Sequence, residues 1–298
     1  MAEEHAHDPF DAHHLIGHVQ DADYFEVPKM IGGEDGKLHI PQPFYSGQPL
    51  VKLPSVFEPL DLKLTKFMIL EVVVAVIVAA IFITLARRAA GGDRPRGRLW
   101  NFFEAMLLFI RDEVARPAIG KHDADRFMPL LWTLFFFVLG CNLLGLIPWA
   151  GSATGAFATT MTLALITFGM VVGAGMVKMG PAHFWTGLVP HMDLPPLLMI
   201  FLWPMVFAIE VLGLFIKHFV LAVRLLANML AGHLVLAVVV AFILAAKSVG
   251  MAGWTGVTVA SVFGAVALNM LELFVAFLQA YIFTFLSALF IGAAVHPH

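Results

Sequence analysis

Arg224 stands in the apolar run LAVRLLANMLAGHLVLAVVV, residues 221 to 240, with only Asn228 and His233 as polar company. No carboxylate lies within thirteen residues of it on either side. A guanidinium cannot shed its proton to escape an apolar setting. At the bilayer centre it costs about 2.5 to 3.5 kcal/mol on insertion scales and more in simulations, so such residues pair or line water. At about 100° per residue, Glu210, Gly213, Lys217, Arg224 and Asn228 share one helical stripe, flanked by Ala227 and Ala231. His233, nine residues on, points about 180° away from Arg224. In a later run, Glu272 and Gln279 are seven apart and share a face, with Asn269 one turn before Glu272 and Tyr281, Thr284 and Ser287 beyond it.

Two kinds of chemistry fit this pattern. One is a static ion pair that fixes helix packing. Glu210 lies about 21 Å from Arg224 along the same helix, so Glu272 is the better partner within the chain, although it pairs equally well with His233. In the other, Arg224 faces an acidic group on another chain, while His233 and Glu272 line a separate wet route. Histidine beside glutamate suits proton relay, because an imidazole titrates near neutral pH.

The elements that must hold these residues are membrane segments. Of 298 residues, 60% are hydrophobic and 13% charged, against about 25% charged in soluble domains. The first span is FMILEVVVAVIVAAIFITLA, starting at residue 67 and extending as far as 90, with Glu71 one turn inside it and reaching back to the interface. A stretch at 98–118, largely LWNFFEAMLLFIRDEVARPAI, is too charged to span and reads as an amphipathic helix in the interface. Residues 127–178 form a two-span hairpin. Its tip carries Asn142, Thr159, Thr160 and Thr162, which either line water or bond between helices, and Gly169, Gly173 and Gly175 allow another helix to approach closely.

Residues 196–294 hold two apolar segments, each too long for one upright crossing and separated by KSVGMAGWTG. Polar turns for extra spans are missing, so a hairpin of two long, tilted helices is expected. The fold class is all-α membrane protein with five membrane helices and one interfacial helix. Nine of the eighteen Lys and Arg residues lie between Arg87 and Arg126, which makes that segment cytoplasmic and puts the N-terminus outside and the C-terminus inside.

Residues 1–60 are polar and rich in Pro and His, an extension outside the lipid. His5, His7, His13, His14 and His18 lack the fixed geometry of a metal site and read as a solvated tail. The opening MAEEHAHDPF has no apolar core of a signal peptide. A net charge of −3 offers no nucleic-acid patch. Cys141, the only cysteine, sits among apolar residues and reads as core. No nucleotide-binding glycine motif, Ser-His-Asp arrangement or HExxH is present, so neither cofactor nor metal is expected.

VRLLANMLAGHL around Arg224 resembles the R-L-x-x-N-M-x-A-G-[HE] signature of the F-type ATP synthase a subunits. LELFVAFLQAYIFTFL resembles the last helix of that family, and NLLGLIP, Asn142 to Pro148, the end of its second span. The resemblance covers residues 65 to 294. It implies a proton-channel stator beside a ring of c subunits, with peripheral-stalk b subunits as further partners, in a bacterial inner (plasma) membrane, and no bond chemistry of its own. Arg224 would face the carboxylate of each passing c subunit, Gln279 would sit near it and Asn228 would flank it. His233 and Glu272 would line the half-channel from the N-terminal side, and Glu210 would lie toward the cytoplasmic one. Asn142, Asn269 and Thr160 are further candidate lining residues. Two departures stand out. His218 occupies a position where many members carry proline, and Ala227 replaces the frequent glycine before Asn228-Met229. A transporter or channel working without a ring is the rival reading. Long unbroken helices without an internal repeat speak against it. Sodium coupling is the alternative at the level of the ion.

Overall fold

The computed structural model describes residues 21–26, 37–42, 64–90, 97–147, 151–189 and 196–296. The five histidines of the tail and most of the N-terminal extension, including the run from Lys52 to Lys63, lie outside the described residues.

Five helices are long and apolar enough to cross a membrane. They are α1 (Lys66–Ala90), α3 (Ala124–Gly145), α4 (Phe157–Met179), α6 (Pro196–Ala245) and α7 (Met251–Val295). Val and Ile, poor helix formers in water, fill much of α1, but in lipid each segment must satisfy its own backbone groups and the helix wins. Side-chain hydroxyls follow the same rule. Thr84, Thr162, Thr284 and Ser287 each donate to a carbonyl four residues back on their own helix. Shorter elements are the antiparallel pair β1 (Tyr24–Glu26) and β2 (Lys37–His39), the helix α2 (Arg98–Phe109), and α5 (Pro181–Gly187).

By its internal packing the chain divides into two units. The first takes in the described residues up to Ile77, Gly140–Ala156 and Asn228–Val275. Here β1 and β2 precede α1, whose start is held by Asp21 Oδ1 accepting from the Phe67 amide at 3.3 Å. Gly140 of α3 packs on α1, since a β-carbon there would come 2.7 Å from Val74 Cγ1. The end of α3 closes on the turn at Ala153–Gly155, where Thr154 donates to Asn142 Oδ1 at 2.7 Å and stands 2.9 Å from Ser152 Oγ.

The second unit takes in Val78–Leu139, Phe157–Ala227 and the chain from Ala276 onward. Phe82, Phe103 and Phe136 cluster with ring centroids 4.6 to 6.1 Å apart. Trp132 Nε1 donates to the Leu107 carbonyl at 3.1 Å, tying α3 to α2. Helix α2 widens into a π-helical stretch, Ile110–Ala115, and continues as Arg116–Ile119. Pro117 follows that stretch and has no amide to return to Glu113, a local reason for the looser turn. Around it, Asp112 accepts from Arg111 Nε at 3.1 Å and Arg116 Nη1 at 2.6 Å. The hydrogen bond from Arg111, helped by Arg116, holds the Asp112 carboxyl below the usual carboxylate range.

Helix α6 runs for 50 residues with Pro204 inside it, and α7 for 45. Between them the chain passes through a 3-10 turn, Ala246–Val249, and Gly250, whose φ of 92° suits glycine. The final helix therefore starts at Met251, within the stretch read from sequence as the break, because Gly253 and Gly256 are absorbed into the helix. The close approach expected along Gly169, Gly173 and Gly175 occurs at Gly175 alone. A β-carbon there would lie 2.3 Å from the ring of Phe184 on α5, whereas at Gly169 and Gly173 it would touch nothing.

Candidate functional site

Within the first unit, α6 and α7 enclose a cavity of about 220 Å³. Asn228, His233 and Glu272 line it, with Met229, Gly232 and Leu268 among its apolar wall. The polar groups arrive from the two helices with no loop between them to rearrange. His233 Nε2 is buried and has no hydrogen-bond partner, and no ion pair forms at Glu272 among the described residues. Both are thus free to engage water, and the cavity has room for several molecules. A β-carbon at Gly232 would fall 2.3 Å from Glu272 Oε1, so the carboxyl group lies directly on the bare backbone of α6. Asn269 is exposed and does not line the cavity.

Asn142 is fully buried in the Thr154–Ser152 hydroxyl cluster, so its side chain ties the end of α3 to the Ala153–Gly155 turn. Thr160 is also fully buried, and its hydroxyl is 3.1 Å from the Phe157 carbonyl, a self-satisfied turn at the start of α4.

Within the second unit, Arg224 is exposed on α6, and so are Lys217 and Ala227. A β-carbon at Gly213 would meet nothing, so this stripe is unpacked by the chain itself. Arg224 makes no ion pair among the described residues. Glu210, on the same helix, is half-buried. Gln279 is buried on α7 with its Nε2 unpartnered. His218, buried on α6, was noted in the sequence only for replacing a proline. Its ring packs between Phe168 and Phe290, with centroids 5.2 and 5.1 Å away. Cys141 is buried, as a core residue would be. Among the described residues no group of three or more His, Cys, Asp or Glu is arranged to hold a metal.

The family model for the ATP synthase A chain matches residues 68–292. The chain is 42% identical to an ATP synthase subunit a of Myxococcus xanthus over 246 residues, which is 80% of this chain and 76% of that protein. It is 37% identical to one from Anaeromyxobacter over 302 residues, covering 95% of this chain and 70% of the relative. A third, from Chloroherpeton thalassium, shares 38% over 298 residues, 97% of this chain and 78% of its own. A match that begins two residues into α1 and ends three residues short of the end of α7 reaches all five apolar helices and takes in Asn228, His233, Glu272, Arg224 and Gln279. The chain therefore belongs to the ATP synthase A chain family, the non-catalytic, proton-conducting stator subunit of a multi-pass membrane complex.

Proposed function

We propose that this chain couples proton flow to rotation through two separate half-channels kept apart by Arg224. The observation that carries the reading is Arg224 itself, a permanent cation exposed on an apolar helix and without an acidic partner among the described residues. Such a charge calls for a partner from outside the chain. Carboxylates presented one after another by a ring of small c subunits meet that need without a permanent ion pair. Each loses its proton on meeting the guanidinium and regains one after passing it. Gly213, Lys217 and Ala227, unpacked on the same stripe, leave room for the ring's helices to approach.

His233, Glu272 and Asn228 belong on this reading to the route from the N-terminal side of the membrane, and the cavity they line holds the water through which protons move. On the same reading Glu210 belongs to the cytoplasmic route, and Gln279 is the residue of α7 assigned to the neighbourhood of the arginine. The cluster of basic residues between Arg87 and Arg126 favours an N-terminus outside and a C-terminus in the cytoplasm. The bacterial relatives favour the plasma membrane as its site, with the c ring and the peripheral stalk as neighbours. Each proton crossing 100 mV delivers about 2.3 kcal/mol, so a leak past Arg224 would waste the energy that drives synthesis.

Arg224→Ala abolishes proton-driven ATP synthesis in inverted membrane vesicles while the complex still assembles. Arg224→Lys fails largely too, since a lysine can release its proton and lacks the planar fork. Retained coupling in the alanine variant overturns the reading. Flux measured with and without sodium distinguishes the ion.

A further inference from the structure

We propose that Gly232 is a positioning residue for proton transfer. The missing side chain at this point of α6 is the seat that holds the Glu272 carboxyl group against the helix, beside His233. This rests on the assignment of His233 and Glu272 to the proton route.

The geometry is specific to this pair. A β-carbon at residue 232 would stand 2.3 Å from Glu272 Oε1, 2.9 Å from its Cδ and 3.3 Å from its Cγ, and no other side chain is among the three nearest atoms. The carboxyl group and the adjoining methylene therefore rest on the backbone of the neighbouring helix. Gly232 lies well inside a 50-residue helix, where glycine is less favourable than alanine. Its φ is not in the left-handed region, so no turn requires it. The neighbouring Ala231 is exposed, and alanine is accepted there. What distinguishes residue 232 is the group lying on it.

The consequence of adding a methyl group follows from which atoms it meets. Glu272 Oε1 is the far end of a flexible side chain, so it can swing aside at little cost to folding. It must withdraw by at least roughly 0.7 Å to regain a 3.0 Å contact. Proton transfer through hydrogen-bonded groups is far less forgiving of displacement than stability is. A misplacement of about 1 Å at a reacting group can cost on the order of a hundredfold in rate. Gly232 thus sets where the carboxyl oxygen sits within a cavity wide enough, at about 220 Å³, to let it wander.

The test uses the intact complex in membrane vesicles and reads passive proton flux and its pH profile, with the amount of assembled complex as the control. Gly232→Ala lowers flux by about tenfold to a hundredfold and changes the pH profile, with normal assembly. Combining it with Glu272→Asp, whose side chain is one methylene shorter, restores part of the flux relative to Gly232→Ala alone. In a Glu272→Ala background, Gly232→Ala has no further effect. Wild-type flux and pH profile in Gly232→Ala overturn the proposal, as does an additional loss in the Glu272→Ala background. If Gly232→Ala fails to assemble, assembly of the double variant with Glu272→Ala identifies the collision as the cause, and failure of both overturns the seat. Glu272→Gln separates this from the parent reading. Full flux in that variant removes Glu272 from the route, whereas lost flux there with normal flux in Gly232→Ala refutes the seat alone.

Discussion

His218 Nδ1 lies 2.8 Å from the carbonyl oxygen of Leu214, one turn back on the same helix. A carbonyl only accepts, so Nδ1 carries the proton, and in the neutral ring Nε2 is left as an acceptor that is buried and unpartnered. An unpaired buried acceptor costs about 1 to 3 kcal/mol. The ring is held by Phe168 and Phe290 and lines an apolar pocket, which is the setting of a packing residue. His218→Phe keeps an aromatic ring, somewhat larger, beside the apolar cavity and removes the orphan nitrogen. Proton flux is expected to stay at the wild-type level and the thermal stability of the complex to hold or rise. A loss of flux would place His218 on the proton route.

His233→Ala and Glu272→Gln each slow proton flux in vesicles and alter its dependence on pH, because each removes a group that can take up and release a proton in the same cavity. An unchanged pH profile in both variants would remove the pair from the route. The same measurement on Asn269→Ala serves as a control, with no change expected, since Asn269 lies outside the cavity.

At the hairpin tip, Asn142→Ala leaves the Thr154 hydroxyl without its acceptor in a fully buried place. The expected loss is about 1 to 3 kcal/mol of stability, seen as a lower melting temperature. Flux through complexes that do assemble is unaffected. Slowed flux at normal stability would instead make Asn142 a channel wall.

Gly292 faces backbone rather than a yielding side chain. A β-carbon there would sit 2.0 Å from the Ala118 carbonyl oxygen and 2.9 Å from its carbon. Gly292→Ala must therefore separate the end of α7 from the Arg116–Ile119 turn, at about 1 to 3 kcal/mol as for other overpacked sites. Reduced yield and melting temperature are expected, in contrast to the stable but slow Gly232→Ala.

Asp123 accepts from Lys178 Nζ and lies 3.2 Å from His296 Nε2. The hydrogen bond from Lys178 holds the Asp123 carboxyl below the usual carboxylate range. A folded-state value below the unfolded one means the contribution is complete above the unfolded value of about 3.9. It fades only as pH falls through the lower, folded-state value. The Lys178 contact is therefore intact throughout the neutral range, and Asp123→Asn speeds amide exchange in the last turn of α4, which carries Lys178, by the same factor at pH 6 and pH 8. A difference between those two values would mean that another group, such as His296, governs the contact.

The five membrane helices were legible because span length and apolar composition are local properties of the chain. The interiors of the runs read directly, while the start of α7 did not, because Gly253 and Gly256 look like breakers although the helix runs through both. The short helix α5 had no signal as strong as its Gly180-Pro181 start, where Gly180 has a φ of 88°. The chemical types of His233, Glu272 and Arg224 stood out against their surroundings. Their mutual placement did not, because the register between two long helices depends on contacts such as the one at Gly232 that no single-helix period encodes. Gly232 itself carried no distinguishing signal, since Gly169, Gly173 and Gly213 are equally deep in helices and meet nothing.

The unbroken backbone of α6 has one more implication. Its backbone groups bond within the helix itself, interrupted inside it only by Pro204. If a ring turns against this helix as proposed, such a backbone would resist the torque, so that the energy of each proton would go into rotation instead of bending the part that is meant to stand still.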